Sequence, residues 1–249
     1  MDLQLTGKRA IVTGGSRGIG KAIARVLADE GADVVIAARD PDRLRVAAAE
    51  LAGATGRRIV PVEVDTADDA AVRRLVEVAV AELGGVDILV NNAATPGSVA
   101  PPGPLTELRD ADVLADLDVK VLGYLRTARA VAPLLIEQGW GRIVNISGLA
   151  ARTAGRISGS IRNVSVAALT KNLADELGPH GVNVTVVHPG VTRTERTDRF
   201  LPARPSTIGR VVEAEEVAWV VAFLASPRSV AVTGDAVAAG GGVPGPIHY

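Results

Sequence analysis

The sequence predicts an α/β fold built as one doubly wound parallel sheet of about seven strands, with helices on both faces. Short β-branched runs bounded by turn residues alternate with longer amphipathic stretches, the pattern of βαβ units. Most of those runs lack polar alternation, so neither face of the sheet is left to water. A glycine-rich turn, TGGSRGIG from Thr13 to Gly20, joins the first run to the first amphipathic stretch.

The first strand is read from Arg9 to Thr13, and AIARVLADEG carries the first helix, Gly18 to Glu30. A second strand, Asp33 to Ala37, leads to a helix from Pro41 to Leu51, and a third, Arg58 to Val62, to a helix from Asp68 to Leu83. Asp87 to Asn91 precedes the longest helix, Val113 to Gln138, and Arg142 to Ser147 precedes Asn163 to Leu177. Asn183 to His188 precedes the helix Ala214 to Leu224, and a last strand is expected near Val230 to Ala236. The stretches Pro96 to Pro104 and Pro202 to Pro205 read as loops, because a periodic element resumes soon after each. No shift in composition marks an internal boundary, so residues 1–249 are expected to form one domain. Residues 239–249 read as a C-terminal tail whose order depends on contact with another subunit.

Of the residues, 47% are hydrophobic and 22% charged, enough apolar surface for a sizeable core. A formal net charge of −1 argues against a broad basic footprint for nucleic acid and favours a small-molecule partner. The absence of cysteine excludes disulfides, thiolate nucleophiles and thiolate metal sites. Asp2, Lys8 and Arg9 precede an apolar run too short for a signal peptide, and no stretch approaches the ~18 apolar residues of a membrane span. A cytoplasmic protein with no membrane partner is expected. His180, His188 and His248 lack ligand spacing, so no metal site is expected.

In TGGSRGIG, Gly14 allows a tight turn, while Gly18 and Gly20 let the backbone approach a pyrophosphate at the positive end of the helix. Ser16, Arg17 and Ile19 complete that cradle. The second strand ends VVIAARD, placing Arg39 where an acidic residue would otherwise accept ribose hydroxyls. Two guanidinium groups, Arg17 and Arg39, suit a 2′-phosphate dianion, so NADP(H) is favoured over NAD(H). The alternative is that either arginine is a solvated charge in a chain with few lysines.

The GxxxGxG spacing at Gly14, Gly18 and Gly20, Asp65 after the third strand, NNAA from Asn91 to Ala94 and PGVTRT from Pro189 to Thr194 occur in order. Together they resemble the short-chain dehydrogenase/reductase family, from Leu5 to about Gly242, within the Rossmann-type folds. The resemblance implies hydride transfer between a nicotinamide and a carbonyl or alcohol. It implies that Asp65, with Thr66 beside it, meets the adenine, that Asn91 and Ala93 line the adenosine side, and that Thr192 and Thr194 meet the nicotinamide carboxamide. The plainer alternatives are a helix cap near Asp65 and strand-end polar residues at Asn91 and Asn92.

The family's catalysis uses a Tyr and a Lys spaced YxxxK, a Ser and an Asn. This chain has two tyrosines, Tyr124 and Tyr249, and neither begins a YxxxK. Counting back from ALTKNLADELG, the Tyr position falls at Gly159 and the Lys position at Asn163; the Ser position falls at Gly148, beside Ser147, and DVKVLGY sets Lys120 at the Asn position. A small deletion between Gly148 and Gly159 is inferred from the mismatch.

Lys120 and Tyr124, four apart on a helix, could recreate an amine–phenol pair; Ser147 ends a strand at the edge where ligands of open α/β sheets bind. The alternatives are Lys120 as a helix-face cation meeting Asp116, Tyr124 as a half-buried core or subunit-contact residue, and Ser147 satisfying a backbone group. His188 could serve as an acid–base or pack beneath the loop. Glu215 and Glu216 read as a solvated helix start. The favoured function is an NADP(H)-dependent oxidoreductase with a proton donor outside the family pattern. A catalytically inactive NADP(H)-binding protein and a non-redox proton-transfer enzyme are the alternatives. By resemblance the chain is expected to form a homodimer or homotetramer, with Val121, Leu125 and Ala128 as a packing seam, burial against its own sheet being the competing explanation.

Overall fold

The computed structural model describes residues 1–95, 103–198 and 206–242. Seven parallel strands form the main sheet in the order β3-β2-β1-β4-β5-β6-β9. They are β1 (Arg9–Thr13), β2 (Asp33–Ala38), β3 (Ile59–Glu63), β4 (Ile88–Asn91), β5 (Gly141–Ile146), β6 (Val182–Pro189) and β9 (Ala236–Ala239). Two short strands, β7 (Thr192–Arg193) and β8 (Val212–Glu213), pair as a separate parallel ribbon that the sequence pattern did not suggest.

Alternate residues of each strand enter different cores, as the pleat requires. On one face Val12, Val34, Ile36, Val144 and Val187 pack against Ile23 and Leu27 of α1 (Gly18–Asp29), Leu44 and Leu51 of α2 (Pro41–Thr55), and Val217 and Val221 of α7 (Ala214–Ala225). On the other, Ile11, Val35, Ile143 and Val184 meet Val72 and Leu75 of α3 (Asp69–Leu83), Val131 and Leu135 of α5 (Gly123–Glu137), and Ala174 and Leu177 of α6 (Ile157–Leu177). Among the described residues no helix is long and apolar enough to cross a membrane.

Four elements differ from expectation, the first being α2, which runs four residues past Leu51 to end at Thr55, before Gly56 in the left-handed conformation. The last strand begins at Ala236, not Val230, because the Asn183 side chain donates to the carbonyls of Val230 (2.9 Å) and Val232 (3.1 Å) and holds that segment as a loop. Helix α6 starts six residues early, at Ile157, where Ile157, Ile161 and Val164 are exposed and give no amphipathic signal. The long helix runs from α4 (Asp110–Leu117) into α5 through a π turn, Asp118–Leu122. Arg126 clamps that turn, donating to the Asp118 carbonyl (3.3 Å), the Asp118 carboxylate (2.7 Å) and the Thr66 carbonyl (3.2 Å). Of the seam residues, Ala128 lies in the core and Val121 packs against buried residues of its own chain. The loop Pro202–Pro205, residues 96–102 of the Pro96–Pro104 loop, and residues 243–249 of the tail lie outside the described residues.

The strand order reverses between β1 and β4, which opens a crevice at the carboxyl ends of those strands. At the opposite end Arg9 and Asp87 lock the same pair: Nε and Nη2 of Arg9 donate to the carboxylate at 2.7 and 2.9 Å, and the Arg9 backbone N–H donates at 2.9 Å. Asp87→Leu is expected to lower unfolding stability by about 2 kcal/mol in urea titrations, because it strips the carboxylate from a half-buried guanidinium and leaves the Arg9 backbone N–H unpaired.

Candidate active site

The turn after β1 is held from the neighbouring strand. Asn92 donates its side-chain N–H groups to the carbonyls of Thr13 and Gly14, both at 3.2 Å. The Thr13 hydroxyl in turn accepts from the backbone N–H of Asn92 (3.0 Å) and of Ala93 (3.1 Å). Gly14 has φ +67°, and a Cβ at Gly20 would lie 2.1 Å from the Gly14 carbonyl oxygen, so close packing of helix on turn demands glycine there.

Helices α2 and α3 carry their own caps, Asp40 accepting from Arg43 N (3.0 Å) and Asp68 from Ala70 N (2.8 Å). Helix α1 has no side-chain cap of its own and no acidic residue in its first turn. Its Gly18 N–H instead donates to the carboxylate of Glu195, 3.2 Å away and far along the chain. The positive end of α1 therefore already holds an anionic group.

A cleft of about 730 Å3 opens over this turn. Gly14, Ser16, Arg17, Gly18 and Ile19 form its floor, with Arg39 to one side. Asp65, Thr66, Ala93, Thr192 and Thr194 also line it. Asp65 also accepts from Ala67 N (3.0 Å), while the helix cap itself is Asp68. Gly20 and Asn91 are not among the lining residues. Asn91 is fully buried, donating to Asn145 Oδ1 (3.0 Å) and accepting from the Thr127 hydroxyl (2.6 Å), and its neighbour Asn92 reaches the cleft instead. Sequence reasoning missed Arg43 and Glu195, which also line the cleft. Arg43 lies in the first turn of α2, capped by Asp40 just after Arg39; nothing local marked Glu195.

Lys120 and Ser147 are not among the residues that line that cleft, although Val119, the neighbour of Lys120, is. Lys120 is the buried residue of the π turn, only 5% exposed, and not a helix-face cation. Its Nζ donates to Ser147 O and to Asn163 Oδ1, each at 2.9 Å. Asp116, its expected partner, is bridged to Arg162 at 3.0 Å. The Ser147 hydroxyl donates to the Asn163 carbonyl (3.0 Å) and lies 3.2 Å from Asn163 Oδ1. Tyr124 is fully buried, not half-buried; its hydroxyl donates to Ile146 O at 2.9 Å, and burial holds the phenol well above its ordinary range. That geometry removes the amine–phenol pair as an acid–base unit.

His188 is also buried, with Nδ1 lacking a partner among the described residues. Burial, then Arg152 and Lys120, push its pKa down to about 4, so the ring is neutral at neutral pH. Glu216 is more than a solvated charge: it accepts from Glu213 N (2.9 Å) in a capping box and pairs with Arg210.

Burial, with Arg162 assisting and Asp116 opposing, pushes the Lys120 amine down to about 7. Below that value both folded and unfolded chains hold the proton, and the cost of burying the charge is carried in full. Between it and the ordinary lysine value the unfolded chain alone keeps the proton, so stability rises with pH. From about pH 7 to about pH 9 this gain should be about 2 kcal/mol, and Lys120→Met should lack it in paired urea melts.

Residues 8–204 match the short chain dehydrogenase family. A short-chain reductase protein of Streptomyces niveus is 37% identical, over 94% of this chain and 93% of its own. L-sorbose reductase from Gluconobacter frateurii, solved with NADPH and L-sorbose, has a TM-score of 0.90 at 30% identity, covering 97% of this chain and 98% of that one. A short chain dehydrogenase from Burkholderia cenocepacia, in complex with NADP, has a TM-score of 0.84 at 37% identity, covering 96% and 98%. Strand order, the glycine turn and these likenesses agree: the chain belongs to the short-chain dehydrogenase/reductase family.

Proposed function

We propose that this chain is an NADP(H)-dependent oxidoreductase acting on a carbonyl or alcohol, in which Lys120 and Ser147 handle the proton that a Tyr–Lys pair handles elsewhere in the family. The observation that carries the reading is a buried amine and a hydroxyl sharing one acceptor, Asn163 Oδ1, at the carboxyl edge of the sheet. Residues 1–249 are taken as one cytoplasmic domain that assembles as a homodimer or homotetramer.

The cleft fits the dinucleotide in shape and charge. The N–H groups at the start of α1 would hold the pyrophosphate, with Gly14 and Gly18 leaving room for it and Gly20 packing the helix against the turn. Arg17, Arg39 and Arg43 would surround the 2′-phosphate, which an NAD(H) ligand lacks. Asp65, Thr66 and Ala93 would face the adenine end, with Asn91 beneath supporting that wall, and Thr192 and Thr194 the carboxamide end. Bound there, NADPH supplies a hydride. The solved complexes with NADPH and NADP among the structural neighbours support this choice.

Hydride addition to a carbonyl leaves an alkoxide that needs a proton. Ser147, turning its hydroxyl from Asn163, can donate a hydrogen bond to that oxygen. Lys120 can supply the proton because an amine titrating near neutrality is both populated as an acid and ready to release it. Carbonyl reduction should therefore fall as pH rises past about 7, with alcohol oxidation rising over the same range. Lys120→Met should lower kcat for NADPH-dependent reduction by about 10²-fold or more, read across a panel of ketones and aldehydes. The small exposure of Lys120 favours one competing reading, a protein that binds NADP(H) without turning over. Tight NADPH binding with no hydride transfer to any member of the panel would decide for it.

Glu195 occupies the N–H group that a pyrophosphate needs, and its charge opposes the phosphate. Glu195→Gln should tighten NADPH binding about 3- to 10-fold in fluorescence titrations, an effect of the size of a helix-end charge. Weaker binding by the variant would mean that the carboxylate supports the loaded cleft.

A further inference from the structure

Three elements meet at one side chain. Lys120 comes from the π turn, Ser147 from the end of β5, and Asn163 from α6. Asn163 Oδ1 lies 2.9 Å from the Lys120 Nζ and 3.2 Å from the Ser147 Oγ, and the Asn163 carbonyl takes the Ser147 hydroxyl at 3.0 Å. Asn163 is 5% exposed, so these contacts are made away from bulk water. The two positions at which the sequence departs from the family's Asn and Lys are Lys120 and Asn163, and in the folded chain they are bonded to each other.

We propose that Asn163 is the positioning residue of this site, and that Lys120 and Asn163 are a reciprocal exchange of amine and amide between two helices that keeps one amine at the sheet edge.

A neutral amide is suited to the task. Its oxygen accepts from the amine in either charge state, so it fixes the position of Nζ without fixing its proton. A carboxylate there would hold the amine charged, and an alkyl side chain would leave the buried amine only the Ser147 carbonyl as acceptor. The other groups around Lys120 cannot substitute for it. Asp116 of α4 is bridged to Arg162 of α6, and the Tyr124 hydroxyl of α5 is bonded to Ile146 O. Arg152, in the turn after β5, donates to Ala236 O, and His188 of β6 is a neutral ring. No described acid other than Asp116 bears on the amine.

The kinetic arm rests on the proton-donor role proposed for Lys120; the equilibrium arm does not. Asn163→Asp, Asn163→Leu and the double variant Lys120→Asn/Asn163→Lys are compared with wild type and Lys120→Asn. Two quantities are read: the pH profile of kcat with NADPH, and the pH dependence of urea unfolding in protein without dinucleotide. Asn163→Asp is expected to move the alkaline limb of kcat, and the pH at which stability begins to rise, upward by about one pH unit or more. Asn163→Leu should lose about 10-fold or more in kcat with little change in the KM for NADPH, a positioning defect and not a binding one. The double variant should recover about 10-fold over Lys120→Asn, because it returns an amine to the other end of the same hydrogen bond.

Asn163→Asp is nearly isosteric and keeps the proposal testable if Asn163→Leu does not fold. An Asn163→Asp variant with wild-type kinetic and unfolding pH curves would overturn the positioning role. A double variant no better than Lys120→Asn would overturn the exchange. If Lys120→Met keeps full turnover, the proton-donor reading fails, and the Asn163→Asp shift in the unfolding curve still decides the positioning role.

Discussion

A lysine amine cannot be removed from water without acceptors, and the interior of this protein is arranged to supply them to Lys120. One acceptor is a strand-end carbonyl, Ser147 O, and the other an amide side chain on α6. Satisfying that amine sets the distance between the π turn, β5 and α6, and so sets the geometry of the edge where the strands end. The π turn is part of the same arrangement. Arg126 holds it by the carbonyls of Asp118 and Thr66, tying the amine's element to the loop after β3 that lines the cleft.

The two halves of the site are built on different principles. The cleft over α1 depends chiefly on backbone: a glycine turn and a helix end with no cap from its own residues, with arginine side chains only at the rim. The amine site depends on side chains from three elements sharing one oxygen. The first kind of construction tolerates sequence change as long as glycines persist, whereas the second changes as a set, since a buried donor that loses its acceptor is destabilising on its own. On that ground a change at Lys120 or at Asn163 alone is expected to be costlier than a change at the rim of the cleft.

The fold was legible because strand and helix periodicity repeat along the chain, and Arg9–Thr13 through Val182–Pro189 fall within about two residues of their expected bounds. It failed where a distant side chain overrode local pattern, as with Asn183 holding Val230 and Val232 out of the last strand. The start of α6 was hidden because Ile157 and Ile161 point outward. Gly14 and Ser16 to Ile19 were readable from the glycine spacing and Arg39 from the end of the second strand, whereas Asp65, Ala93, Thr192 and Thr194 came only from family resemblance; Asn91 and Asn92 are adjacent and sequence alone does not say which faces inward. The alternative reading of Lys120, a helix-face cation, fails for a related reason: Asp116 four residues earlier is the partner that helix geometry suggests, and Arg162, from another helix, takes it.

The glycine turn has a further implication for how the chain assembles. It looks local, eight residues between a strand and a helix, yet beside the bonds from Gly14 and Gly15 to the Ala37 carbonyl, those that close it come from Asn92 and Ala93, more than seventy residues onward. Closing a loop of that length carries an entropic cost that a tight turn does not. The turn therefore acquires its final shape only when β4 docks beside β1, and a chain truncated before Asn92 would contain every glycine of the motif without the shape that the motif encodes.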